Sequence, residues 1–109
     1  MTTNYTFFEN LITAVDSIPA ESIVSRTIHV DDQIKVSMFG FAPGQELSEH
    51  TASVPAIIQI LQGTCSLTLG EDTYTAGPGT WVHMPPNTKH ALKAITPLYM
   101  LLIMLPKVD

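Results

Sequence analysis

The segment PGQELSEHTASVPAIIQILQG, Pro43 to Gly63, decides how this chain folds. Gly44 is followed, six positions on, by His50, which stands in front of a turn and an apolar strand. Metal-binding hairpins often begin this way. Yet the positions where further ligands would stand hold Ala52 and Ala56. Six residues separate Ala56 from Gly63, which lets the chain turn tightly into its next strand.

A second block, GTWVHMPPNTKHALKA, has comparable spacing. Gly79 is followed by five residues, then Pro85, Pro86 and Asn87, two residues, His90, three residues and Ala94. Fifteen residues separate the blocks. These intervals resemble the two motifs of the cupin superfamily, G-x5-H-x-H-x3,4-E-x6-G and G-x5-P-x-G-x2-H-x3-N. The stretches SIVSRTI, LSEHTA, MPPNTKHALKA and LLIML are similar to those of small single-domain bacterial cupins, so the resemblance runs from about Ile23 to Leu105. It implies an all-β chain: a single-domain cupin β-barrel, the RmlC-like jelly roll or double-stranded β-helix. One domain would span residues 1–109 with its core at about 23–105.

The residues support that fold independently. Pro and Gly recur at Pro19, Pro43-Gly44, Pro55, Gly63, Gly70, Gly77-Pro78-Gly79, Pro85-Pro86, Pro97 and Pro106, with short β-prone runs between them. Many short strands with turn signals between them argue a sandwich or barrel. Strands are expected at 22–30, 33–41, 56–62, 64–69, 73–76, 80–84, 90–94 and 98–105. Ile34, Val36, Met38 and Gly40 should share one face of the second run. Cys65, Leu67 and Leu69 alternate with Thr64, Ser66 and Thr68, giving one buried and one wet face. Phe8, Leu11, Ile12 and Val15 keep a helical spacing, so the chain should start with a short helix or an extended segment. The run Leu98–Leu105 is apolar on both faces and is either central in a sandwich or covered by a second subunit. An edge strand that apolar would aggregate if bare, and together with the resemblance to small cupins this predicts a homodimer.

Composition bounds the partners. The 109 residues are 45% apolar and carry a net charge of −5, with no basic run, so nucleic acid and anionic membranes are poor partners. A single cysteine, Cys65, gives no internal disulfide, and the start MTTNYTFFEN lacks the basic and apolar regions of a signal peptide, so a cytoplasmic location is expected. The longest apolar run, Leu98–Leu105, is far shorter than the ~20 residues of a membrane-spanning helix.

The resemblance also supplies a candidate site. Metal-binding cupins use two histidines and a carboxylate from the first motif and a histidine from the second. Here those positions are His50, Ala52, Ala56 and His90, and the closing asparagine is Ala94. Two imidazoles alone would hold a divalent transition metal (Fe, Mn, Zn or Ni) only weakly, because catalytic sites usually take at least three protein ligands. The alanines should leave room beside His50. Asn87 stands where the family has glycine, and asparagine tolerates positive φ better than other residues with a side chain. His50, Gln59, Met84 and His90 are therefore the candidate ligand-binding residues. His50 and His90 are candidate metal ligands, joined by His83 if Trp81 and His83 face the barrel rather than Val82 and Met84. Glu46 and Ser48 share a face with His50 if their segment is extended, and Glu49 points away. His29, beside two aspartates, reads as a solvated turn histidine, and Cys65 as a buried apolar residue.

Three functions fit. The first is a small-molecule-binding barrel built around His50 and His90 with little or no metal. The second is a metal-dependent dioxygenase, isomerase or decarboxylase on a small organic substrate. The third is a metal-free acid–base enzyme using one of the histidines.

Overall fold

Side-chain alternation decides which residues meet between the sheets. The structure, a computed structural model, describes residues 4–106. Among these, one 3₁₀ turn (Leu11–Ala14) precedes β1 (Ile23–Val30), β2 (Lys35–Phe41), β3 (Glu46–His50), β4 (Ala56–Gln62), β5 (Cys65–Leu69), β6 (Asp72–Ala76), β7 (Trp81–Met84), β8 (His90–Ala94) and β9 (Leu98–Met104). The strands form a five-stranded sheet, β1-β2-β9-β4-β7, and a four-stranded sheet, β3-β8-β5-β6. Every pairing is antiparallel. The fold is the expected all-β jelly roll.

Inner faces of both sheets build the main core. Phe41, Ala56, Ile58, Ile60, Leu98, Met100 and Met84 come from the five-stranded sheet, and Cys65, Leu67, Ala76, Leu92 and Ala94 from the four-stranded one. Phe39 and Phe41 stack there with centroids 6.1 Å apart. No polar side chain is buried among the described residues. Cys65 is fully buried, and desolvation pushes its thiol pKa up, so it behaves as the expected apolar residue.

The outer face of the larger sheet carries a second cluster. Met38 and Leu101 pack there with Ala14 and Val15, flanked by Phe8, Leu11, Ile12, Ile18, Tyr99 and Ile103. The N-terminal segment is thus a strap over the sheet. Its helical spacing produces only a four-residue 3₁₀ turn, with the Asn10 side chain accepting from the Ile12 amide at 3.1 Å. Gly40 permits the close approach: a Cβ there would come within 2.9 Å of the Ile18 side chain. Val36, Met38 and Gly40 do share a face, and it is this strapped outer one.

The run from Leu98 takes the central place, one of its two expected readings: β9 lies between β2 and β4, so it is no edge strand and the aggregation argument for a partner falls away. Also, residues 46–50, not expected as a strand, form β3. Leu47 is the only apolar residue in ELSEH, too little for an alternation signal.

Gly63 joins β4 to β5 with φ +95°, and a Cβ on it would stand 2.0 Å from the Pro97 carbonyl oxygen. Backbone, not a yielding side chain, blocks that position. Gly63→Ala should lower stability by about 2 kcal/mol or more in urea unfolding. Gly44→Ala, with positive φ but open space around it, should cost only about 1 kcal/mol.

Candidate functional site

Strand parity alone would put His50 on the wrong side. Leu47 packs into the core, and three positions later a regular strand presents its opposite face. The β3–β8 ladder prevents this. Leu47 pairs with Leu92 and His50 with His90, so β3 holds one extra residue in a β-bulge between them. The bulge returns His50 to the side of Leu47 and places it directly across from His90. His90 is in turn the cross-strand partner of Leu69 on β5, whose side chain packs against the core. The two imidazole centroids lie 4.1 Å apart at 56°.

Both flanking loops are tied together. The Asn87 amide donates to the Ala52 carbonyl at 2.7 Å, linking the chain just after His50 to the turn just before His90. Asn87 has φ +67°, the left-handed conformation for which asparagine is suited.

Hydrogen bonds fix the tautomers of both rings. His50 Nδ1 is 2.7 Å from the Ser48 carbonyl oxygen, and His90 Nδ1 is 2.9 Å from that of Thr88. A carbonyl oxygen can only accept, so each Nδ1 carries the proton and donates it. In the neutral rings, each Nε2 then keeps a free lone pair. The site therefore offers two imidazole acceptors side by side. His50 is exposed and His90 half-buried.

The remaining candidates lie elsewhere. Gln59 pairs with Leu101 and Trp81 on the outer face of the five-stranded sheet, because Ile58 and Ile60 take the inner face. It is not a barrel residue. His83 pairs with Ile57 on the same outer face while Val82 and Met84 point inward, so it cannot join His50 and His90. Instead it lines an open hollow of about 580 Å³ with Val54, Pro55 and Leu105. Met84 is 3% exposed and belongs to the core. Ala56 is equally buried, paired with Met84 on one side and Met104 on the other, so it too belongs to the core. The bulge also separates Glu46 and Ser48 from the face of His50. With Glu49 they line a hollow of about 330 Å³ with Ser66, Thr68 and Lys93.

This donor set does not match a three-ligand catalytic metal centre. Among the described residues, no group of three or more His, Cys, Asp or Glu could hold a metal ion. The imidazole pair could supply at most two ligands.

The family model described as the cupin domain matches residues 37–104, which includes both histidines and every strand from β3 to β9. The chain belongs to the cupin family. It is similar to the crystal structure of a cupin superfamily protein from Desulfitobacterium hafniense DCB-2, with 24% identity over 84% of each chain and a TM-score of 0.79. A conserved protein of unknown function from Streptococcus pyogenes matches over 98% of this chain and 93% of its own, at 26% identity and a TM-score of 0.84. DMSP lyase DddQ from Ruegeria pomeroyi DSS-3 matches at 18% identity and a TM-score of 0.72, over 80% of this cupin and 48% of the lyase. No curated protein matches the sequence. No helix among the described residues is long and apolar enough to cross a membrane.

Deleting Glu49 should remove the bulge yet keep His50 opposite His90, two positions after Leu47 on the same face, whereas deleting both Ser48 and Glu49 should turn His50 to the outer face. Nuclear Overhauser contacts between the two imidazoles, expected in the native cupin, should persist in the single-deletion variant and vanish in the double-deletion variant.

Proposed function

We propose that this cupin binds a small molecule at the His50–His90 pair, with metal held weakly or not at all. The carrying observation is that both Nδ1–H groups are already spent on backbone carbonyls. What the pair presents outward is acceptor capacity. A ligand that suits it bears a hydrogen-bond donor head, such as a primary amide, a hydroxyl or a protonated acid, on a compact apolar body. Benzamide is a suitable probe. Its titration should shift the ring-proton resonances of His50 and His90 saturably, and His50→Ala or His90→Ala should abolish binding. Binding unchanged in both variants refutes the reading.

A metal-dependent enzyme of the dioxygenase, isomerase or decarboxylase type is the second reading. It is favoured by the Nδ1–H to carbonyl bonds, which are also how ligating histidines are oriented. The two-ligand set weighs against it. Zinc affinity should be roughly micromolar or weaker by calorimetry. Stoichiometric metal in untagged protein, lost in both alanine variants, would favour the enzyme instead. The likeness to the lyase supports the barrel and not its chemistry.

The proposal places the protein in the cytoplasm as a homodimer. Large apolar side chains exposed on one copy support association: Tyr5 is 76%, Phe7 75% and Trp81 58% exposed. Sedimentation at micromolar concentration should give the dimer mass, and a monomer there removes this part of the proposal.

A further inference from the structure

His29, which reads from sequence as a solvated turn residue, sits between two partners. Its Nε2 is 2.7 Å from Asp31 Oδ2, and its Nδ1 is 3.1 Å from Thr6 Oγ1. Thr6 comes from the N-terminal strap, 23 positions away in the chain. A second bulge makes the meeting possible. Thr27 pairs with Ser37 and His29 with Val36, so Ile28 is the extra residue. Val36 packs on the strapped face, and the bulge brings His29 to that face too.

Protons in this trio have a defined order. The hydrogen bond from His29, helped by the amides of Gln33 and Ile34, lowers the Asp31 pKa to about 2. Asp31 is then a carboxylate that can only accept, so His29 Nε2 carries the proton. In the neutral ring Nδ1 keeps its lone pair, and it faces the Thr6 hydroxyl. A hydroxyl on a base, and the base on an orienting carboxylate, is the arrangement that activates an alcohol as a nucleophile. Thr6 and His29 also line an open apolar hollow of about 460 Å³ whose walls include Phe7, Phe8, Leu11 and Ile34.

We infer that Thr6, His29 and Asp31 form a second, nucleophilic site on the strapped face, distinct from the His50–His90 pair, that accepts a short apolar acyl group from an ester with a good leaving group. In the step, Thr6 Oγ1 attacks the acyl carbonyl carbon and forms the new C–O bond. The bond from that carbon to the leaving oxygen breaks and its electron pair departs with the leaving group. The Thr6 proton passes to His29 Nδ1, and the imidazolium rests against Asp31 before releasing it to water. The hollow takes the acyl chain. The product is an ester on a secondary alcohol, which water attacks slowly, so acyl-Thr6 accumulates.

The test incubates the full-length protein with 4-nitrophenyl butyrate and follows nitrophenolate release together with intact mass. One butyryl group should appear per chain and map to Thr6 after proteolysis. Thr6→Val should abolish it, and His29→Ala should slow it by about a hundredfold, the usual scale of a general base. Asp31→Asn keeps an oxygen for the Gln33 and Ile34 amides, which Asp31 accepts at 2.8 and 3.0 Å, but removes the carboxylate from His29. It should slow acylation and leave the urea unfolding midpoint nearly unchanged. His50→Ala should acylate normally, separating this site from the proposed ligand pair. Butyryl groups confined to lysines or the amino terminus would overturn the inference. So would an acylation rate indifferent to His29→Ala. The trio would then be only a clasp for the strap.

Discussion

Strand β9 is the member on which the rest of the barrel depends. Leu98 and Met100 complete the core between the sheets, while Leu101, with Tyr99 and Ile103 beside it, forms the floor for the N-terminal strap. Its ladders to β2 and β4 hold the larger sheet together. A strand apolar on both sides needs cover on both sides, because bare apolar surface is unfavourable in water at roughly 25 cal/mol per Å². The smaller sheet covers one side and the strap the other. Part of the outer face, around Trp81, stays open.

Local irregularity, not regular structure, positions the chemistry. The bulge in β3 rotates His50 to meet His90, and the bulge in β1 turns His29 toward the strap. An extra residue flips the parity of everything after it. Each histidine is then oriented by acceptors: two by carbonyl oxygens and one by a carboxylate. Imidazole suits this use, since fixing one nitrogen as donor leaves the other as a directed lone pair.

The ligand set of metal-binding cupins is not simply missing two side chains here. Ala56 lies inside the core, with Met84 and Met104 as its cross-strand partners, so a side chain at this position faces apolar groups. Putting Glu back at position 56 would bury a charge among apolar groups at a high desolvation cost. Among the described residues no polar side chain is buried, so the interior is apolar.

By itself the sequence determined the barrel and the meeting of His50 with His90. Motif spacing and Pro/Gly punctuation are local and survive in the text, and the left-handed Asn87 could be foreseen from its place in the second motif. Tertiary structure alone decided which way side chains face. Gln59 and His83 lie outside because Ile58, Ile60, Val82 and Met84 claim the interior, and alternation cannot say which of two faces is the inner one. Nor could it reveal β3, whose residues are polar except Leu47 and whose bulge breaks the period. The contact of Thr6 with His29 spans separate segments and depends on the strap packing against Gly40, a fit that appears only once both surfaces exist.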